Sequence, residues 1–407
     1  MAIGSGKMPV LQAIDGLRLG VVSAGIKTSG RKDLVIFEFV AQASLAAVFT
    51  RNAFCAAPVQ VAKRHLQTGT TPRYLLINTG NANAGTGRQG IEDAIALCAV
   101  LSDVGDVDIE AVLPFSTGVI GEHLPVEKIS AAIPAAVKNL RADGWTDAAE
   151  GIMTTDTRPK GASCSFEFEG ETITITGIAK GAGMIKPNMA TMLAYIATDA
   201  KISQVLLQSM FAEIVDRSFN RITVDGDTST NDACILIATG AAGNQEVKTE
   251  SDPLYFQLAE SIETVCLELA QGLVKDAEGA SKFVAVTVDG GITEQECLQV
   301  AYTIAESPLV KTALFASDPN WGRVLAAIGR AGLKDLEVDL VELYIGKVLI
   351  AENGQRAASY TEQQGQQAMG GAEIDINVGL NRGQCKATVW TSDLSHEYVR
   401  INAEYRT

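Results

Sequence analysis

Thr191 is the residue on which this chain could build nucleophilic chemistry. It follows the loop Lys180-Gly-Ala-Gly-Met-Ile-Lys-Pro-Asn-Met-Ala190, whose glycines and Pro187 break regular structure, and precedes an apolar run, Met192 to Ala197, that reads as a buried strand. A hydroxyl at the start of such a strand is held rigidly. Cutting the Ala190–Thr191 bond would give Thr191 a free α-amine close to its own hydroxyl. An α-amine titrates near ~8, so close to neutrality a useful fraction is unprotonated and can take the hydroxyl proton. Nucleophile and base then share one residue. On the residues alone, the common alternative is a small-residue loop leading into a core strand, since Ala-Thr by itself is no cleavage signal.

Other chemistry finds less support. Only His65, His123 and His396 are available for a Ser-His-Asp or Cys-His arrangement, and none has metal-ligand spacing. The seven cysteines are scattered, contain no Cys-x-x-Cys pair and read as reduced core thiols. Gly85-Thr-Gly-Arg-Gln-Gly90 fits a dinucleotide fingerprint, but Asn78 to Ala84 is too long for its tight first turn, so an Asn- and Gly-rich turn is the better reading. Asp225, Asp227 and Asp232 invite a cation, yet Thr230 stands where a calcium loop needs glycine, which favours a hydrogen-bonded turn. Ser116-Thr-Gly-Val-Ile-Gly121 offers backbone amides and small side chains, by composition only a turn. No metal and no cofactor are expected.

The elements that must hold these residues are mixed. Strand-like runs lie at 34–40, 73–77, 165–169, 172–177, 192–197, 233–238, 283–288, 336–343, 348–351, 373–378 and 385–391, and helical periodicity at 91–104, 126–141, 204–219, 254–273 and 294–305. Without regular βαβ alternation, the pattern predicts an α+β, layered mixed-sheet fold. The stretch 143–160 is the most loop-like of the first half. At 407 residues and 47% hydrophobic content the chain supports one large domain or two, and a net charge of −15 argues against nucleic acid and anionic membranes as partners. With no long apolar stretch or signal-like start, a cytoplasmic protein acting on small molecules is expected.

Gly183-Met-Ile-Lys-Pro-Asn-Met-Ala-Thr-Met-Leu193 resembles the processing site of the ornithine acetyltransferase family, also called glutamate N-acetyltransferase, of arginine biosynthesis. Similar in kind are Arg51 to Pro58, Ile77 to Gly85, Ser116 to Gly121, Met153 to Asp156, Val224 to Asp232, Asp276 to Ala280 and Asp318 to Gly322, in the family's order; Ala182 and Lys186 depart mildly. The resemblance implies self-cleavage between Ala190 and Thr191 into an alpha chain, 1–190, and a beta chain, 191–407, that stay interlocked, two copies of each forming a heterotetramer. It implies Thr191 as nucleophile, Thr117 and Gly118 as oxyanion stabilisers, and Thr154, Lys180, Thr191, Glu278, Asn402 and Thr407 as substrate contacts. Its substrates would be N2-acetylornithine and glutamate, and it allows acetyl-CoA as a second donor, which would make the protein bifunctional. Two other readings compete: a self-processing aminopeptidase or amide hydrolase, in which water replaces glutamate, and a non-catalytic small-molecule binding protein with an intact loop.

Overall fold

Leu193, Tyr195 and Ala197 project to one side of their strand and Ala194 and Ile196 to the other, and all five are buried. A strand covered on both faces belongs in the middle of a layered molecule. The computed structural model, which describes residues 3–4, 7–186 and 192–404, places it there and is α+β throughout. It lies in a five-stranded sheet in the order Ser44–Phe49, Ala233–Ala238, Leu193–Thr198, Glu171–Lys180, Lys160–Phe168. Leu193–Thr198 runs parallel to Ala233–Ala238, with Leu193 opposite Ala233, and antiparallel to Glu171–Lys180, with Leu193 opposite Lys180. Lys180, Leu193 and Ala233 therefore stand abreast at one end of the sheet.

One face of this sheet packs on a four-stranded sheet, Leu17–Val22, Leu34–Phe39, Tyr74–Asn81 and Val112–Val119. Tyr195 meets Phe115 edge-on at 5.5 Å between ring centroids, and Phe37 at 5.3 Å, so aromatic packing fixes how the sheets are stacked. Helices Gln204–Arg217 and Pro253–Lys275 cover the other face, and Gly87–Gly105 and Val126–Lys138 cover the far side of the four-stranded sheet. A seven-stranded sheet carries its own core with helices Glu294–Ala305, Pro308–Phe315 and Trp321–Gly329.

Several sequence expectations need correction. The Ser116–Gly121 segment is not merely a turn, because the strand Val112–Val119 runs through Ser116 to Val119. That strand is at a sheet edge, where Pro114 forfeits no ladder bond that the sheet needs. The stretch 143–160 contains the helix Trp145–Gly151, anchored by Trp145 edge-on to Phe37. The run 336–343 is largely a tight turn, Val338–Leu340, with the strand starting only at Glu342; Val338 and Leu340 are exposed, so no buried face holds them extended. Among the described residues no helix is long and apolar enough to cross a membrane, and all seven cysteines are free.

Candidate active site

The ends of four strands and the loops beside them converge on a cavity of about 260 Å³. The five-stranded sheet contributes Lys180 and, one step ahead of its paired strands, Met192 and Asp232. The four-stranded sheet sends in Thr117 and Gly118 from the end of Val112–Val119, and loops add Thr154, Gly183 and Glu278. The sheets touch directly here, because Lys180 Nζ donates a hydrogen bond to Thr117 Oγ1 at 2.9 Å. Gly118 has φ +136°, and a Cβ there would lie 2.3 Å from the Gly80 carbonyl carbon, so only glycine lets these strands approach. At Gly183 a Cβ would meet Glu278 Oε2 at 2.5 Å; its absence makes room for the carboxylate.

Charge in the cavity is concentrated and mostly buried. Burial pushes the Lys180 ammonium below the ordinary lysine range, opposed by Asp156, Asp232 and Glu278. Burial alone would raise the Asp156 carboxyl, but Lys160, Lys180 and hydrogen bonds prevail and hold it well below the usual carboxylate range. Asp156 Oδ1 accepts from Gly181 N at 2.7 Å and Lys160 Nζ at 2.5 Å, and Oδ2 from Thr154 N at 2.9 Å. Lys160 also pairs with Asp276 at 2.6 Å, and Asp276 Oδ2 accepts from Thr157 N at 3.1 Å. One buried lysine thus ties together the segments bearing Thr154, Lys180 and Glu278.

Of the residues singled out from sequence, Thr117, Gly118, Thr154, Lys180 and Glu278 all line the cavity. Asn402, on the helix His396–Ala403, donates from Nδ2 to Glu278 Oε2 at 2.8 Å, which brings the C-terminal helix to the site's edge. Ala190, Thr191 and Thr407 lie outside the described residues. The Asp225 and Asp227 loop works as a clamp: Asp225 accepts from the backbone N–H of Met184 at 2.6 Å and of Ile185 at 2.9 Å, and from Tyr398 Oη at 3.1 Å. Lys186, a departure from the family pattern, pairs with Glu306 at 2.9 Å, and Ala182, the other, accepts at its carbonyl from Glu278 N at 2.9 Å. The Asn-rich turn also takes shape, Asn78 Nδ2 donating to Asn81 O at 2.9 Å and Asn83 Nδ2 to Gly90 O at 2.8 Å.

Sequence reasoning missed two carboxylates. The sequence shows Asp156 only as the end of Met153-Thr-Thr-Asp156 and places Asp232 beside Asp225 and Asp227, from which it separates to face the cavity. The usable signal was its place directly before the strand Ala233–Ala238, whose parallel partner begins just after Thr191 and Met192.

The chain matches the model of the ArgJ family over residues 18–407. It is 58% identical over 407 residues to the arginine biosynthesis bifunctional protein ArgJ of Pseudomonas syringae pv. tomato, covering 100% of both chains. It is 57% identical, again over 100% of both, to the protein of the same name from Pseudomonas fluorescens. Among solved structures it is similar to the arginine biosynthesis bifunctional protein of Bacillus halodurans, at 36% identity and a TM-score of 0.50, over 52% of this chain and 99% of that one.

Proposed function

The chain belongs to the ArgJ family, and we propose that it carries acetyl from N2-acetylornithine to glutamate as an ester on Thr191, giving ornithine and N-acetylglutamate. In maturation, Thr191 Oγ attacks the Ala190 carbonyl, the acyl group shifts from nitrogen to oxygen, and water splits the ester, leaving chains 1–190 and 191–407. In turnover the same hydroxyl, with the new α-amine as base, attacks the acetyl carbonyl, while Thr117 and Gly118 stabilise the oxyanion. Ornithine leaves, glutamate enters the same cavity, and its amine takes the acetyl group in a ping-pong cycle.

The observation that carries this reading is the convergence of Thr117, Gly118, Thr154, Lys180 and Glu278 on one cavity that Met192, the residue bonded to Thr191, also lines. Lys180 suits a substrate carboxylate, and Glu278, steadied by Asn402, suits the ornithine side-chain ammonium. Thr407 completes the set of substrate contacts. The full-length match to relatives named for arginine biosynthesis favours transfer over the hydrolase and binding-only readings. Their names also carry the word bifunctional, which supports acetyl-CoA as a second donor to glutamate. A cytoplasmic enzyme of two alpha and two beta chains completes the proposal.

The test is Thr191→Ala, which should leave a single full-length band on a denaturing gel and no detectable acetyl transfer. A Thr191→Ala protein that runs as two pieces and transfers acetyl ends this account. Thr191→Ser should keep some processing, because the hydroxyl survives, and the second piece of the wild-type protein should begin Thr-Met-Leu. Incubation with acetyl-CoA and glutamate should yield N-acetylglutamate.

A further inference from the structure

Asp232 is fully buried at the cavity wall, and its Oδ2 has no hydrogen-bond partner among the described residues. Such an orphaned carboxylate oxygen is rare, since a buried polar group left without its hydrogen bond keeps its full desolvation cost. The backbone around it is well held: the carbonyl of Asp232 accepts from Thr50 N at 3.0 Å, and Ala233 N donates to the Met192 carbonyl at 3.1 Å. The parallel register fixes the group at the level of Met192. Lys180, whose Nζ is bound to Thr117, is the cation facing it, and Glu278 and Asp156 are the nearby carboxylates acting on that lysine.

The proposed transfer contains a proton that no residue assigned so far looks after. N2-acetylornithine enters with an amide nitrogen, and ornithine departs with an α-ammonium. Going from R–NH–acetyl and Thr–OH to R–NH3⁺ and the acetyl ester consumes one proton beyond the one the hydroxyl supplies. Glutamate enters as an ammonium and leaves as an amide, which returns one proton. The acyl-enzyme is therefore one proton poorer, outside the ester, than the free enzyme.

We infer that Asp232 stores this proton: it gives it to the departing ornithine nitrogen as the C–N bond breaks, waits as a carboxylate beside Lys180, and takes it back from the ammonium of incoming glutamate before the new C–N bond forms. This role rests on the acetyl-transfer reading. Burial raises the Asp232 carboxyl well above the usual range, with Lys180 opposing, which suits a group that is protonated in the free enzyme and can ionise within the cycle.

The test uses two substrate pairs on the cleaved enzyme. N2-acetylornithine and glutamate need the stored proton; p-nitrophenyl acetate, whose leaving group departs as an anion, and hydroxylamine, which arrives uncharged, do not. Asp232→Asn should lower kcat on the amino-acid pair by roughly 10²-fold or more, with KM little changed, yet by less than about tenfold on the activated pair. Equal losses on both pairs, or near wild-type transfer to glutamate, would overturn the inference. If the Asn variant arrives uncut, Asp232→Glu carries the test: a displaced alkaline limb in the kcat/KM profile for N2-acetylornithine against pH supports the store, and an unmoved limb overturns it. A wild-type enzyme inactive on the amino-acid pair would instead sink the acetyl-transfer reading.

Discussion

Gly118 and Gly183 show how a missing side chain shapes a site in two ways. At Gly118 an added Cβ would strike backbone, and φ is in the region that L side chains avoid. Gly118→Ala should destabilise the fold by about 1–3 kcal/mol, read as a lower midpoint in urea, along with losing activity. At Gly183 the obstacle is the far end of a flexible side chain, so Gly183→Ala should leave the midpoint within about 0.5 kcal/mol while pushing Glu278 aside. Its signature should be a raised KM for N2-acetylornithine; a loss of stability matching that of Gly118→Ala would contradict the distinction. These residues were legible as members of motifs, but their reasons were not, because the atoms they make room for lie 38 and 95 positions away in the chain.

At the scale of elements, the deciding feature is which segments share a sheet end. The strands Ala233–Ala238 and Phe283–Gly291 could be anticipated from their apolar, β-branched runs, and helix Glu294–Ala305 from its periodicity. The strands Leu17–Val22, Ser44–Phe49 and Val112–Val119 could not, since their alanines, glycines and proline blur the pattern and burial is supplied by distant partners. For the same reason the meeting of Lys180, Leu193 and Ala233 is a fact of register that no local window contains. The Asp156–Lys160–Asp276 group performs a comparable task for loops, and its two carboxylates have fully buried side chains. Lys160→Met would remove the one cation that bonds both carboxylates, leaving Asp156 only the charge of Lys180, which should cost roughly 3–5 kcal/mol in urea unfolding at neutral pH. Because the Asp156 carboxyl is depressed in the folded protein, its stabilisation is complete above the unfolded value of about 4 and drains away as pH falls below it. Asp156→Asn should therefore cost stability at pH 7 and progressively less as the medium is acidified below that value.

Across the whole molecule, the three sheets and five buried clusters of the described residues are stitched by contacts that ignore chain order. The proposed cut falls between Glu171–Lys180 and Leu193–Thr198, which pair along their length, Ile175 opposite Thr198 through Lys180 opposite Leu193. The two pieces should accordingly elute together from a sizing column under native conditions and part only in denaturant; separation in plain buffer would be incompatible with the shared sheet. This hairpin partnership has a bearing on supply as well as on shape. Two separately made polypeptides would have to find each other at a rate set by their concentrations, and any imbalance in synthesis would strand one of them with an open sheet edge. With the proposed cut made in the folded chain, the search would be over before the bond is broken, so alpha and beta pieces would arise in equal number, already mated, and dilution after cleavage would have nothing to undo.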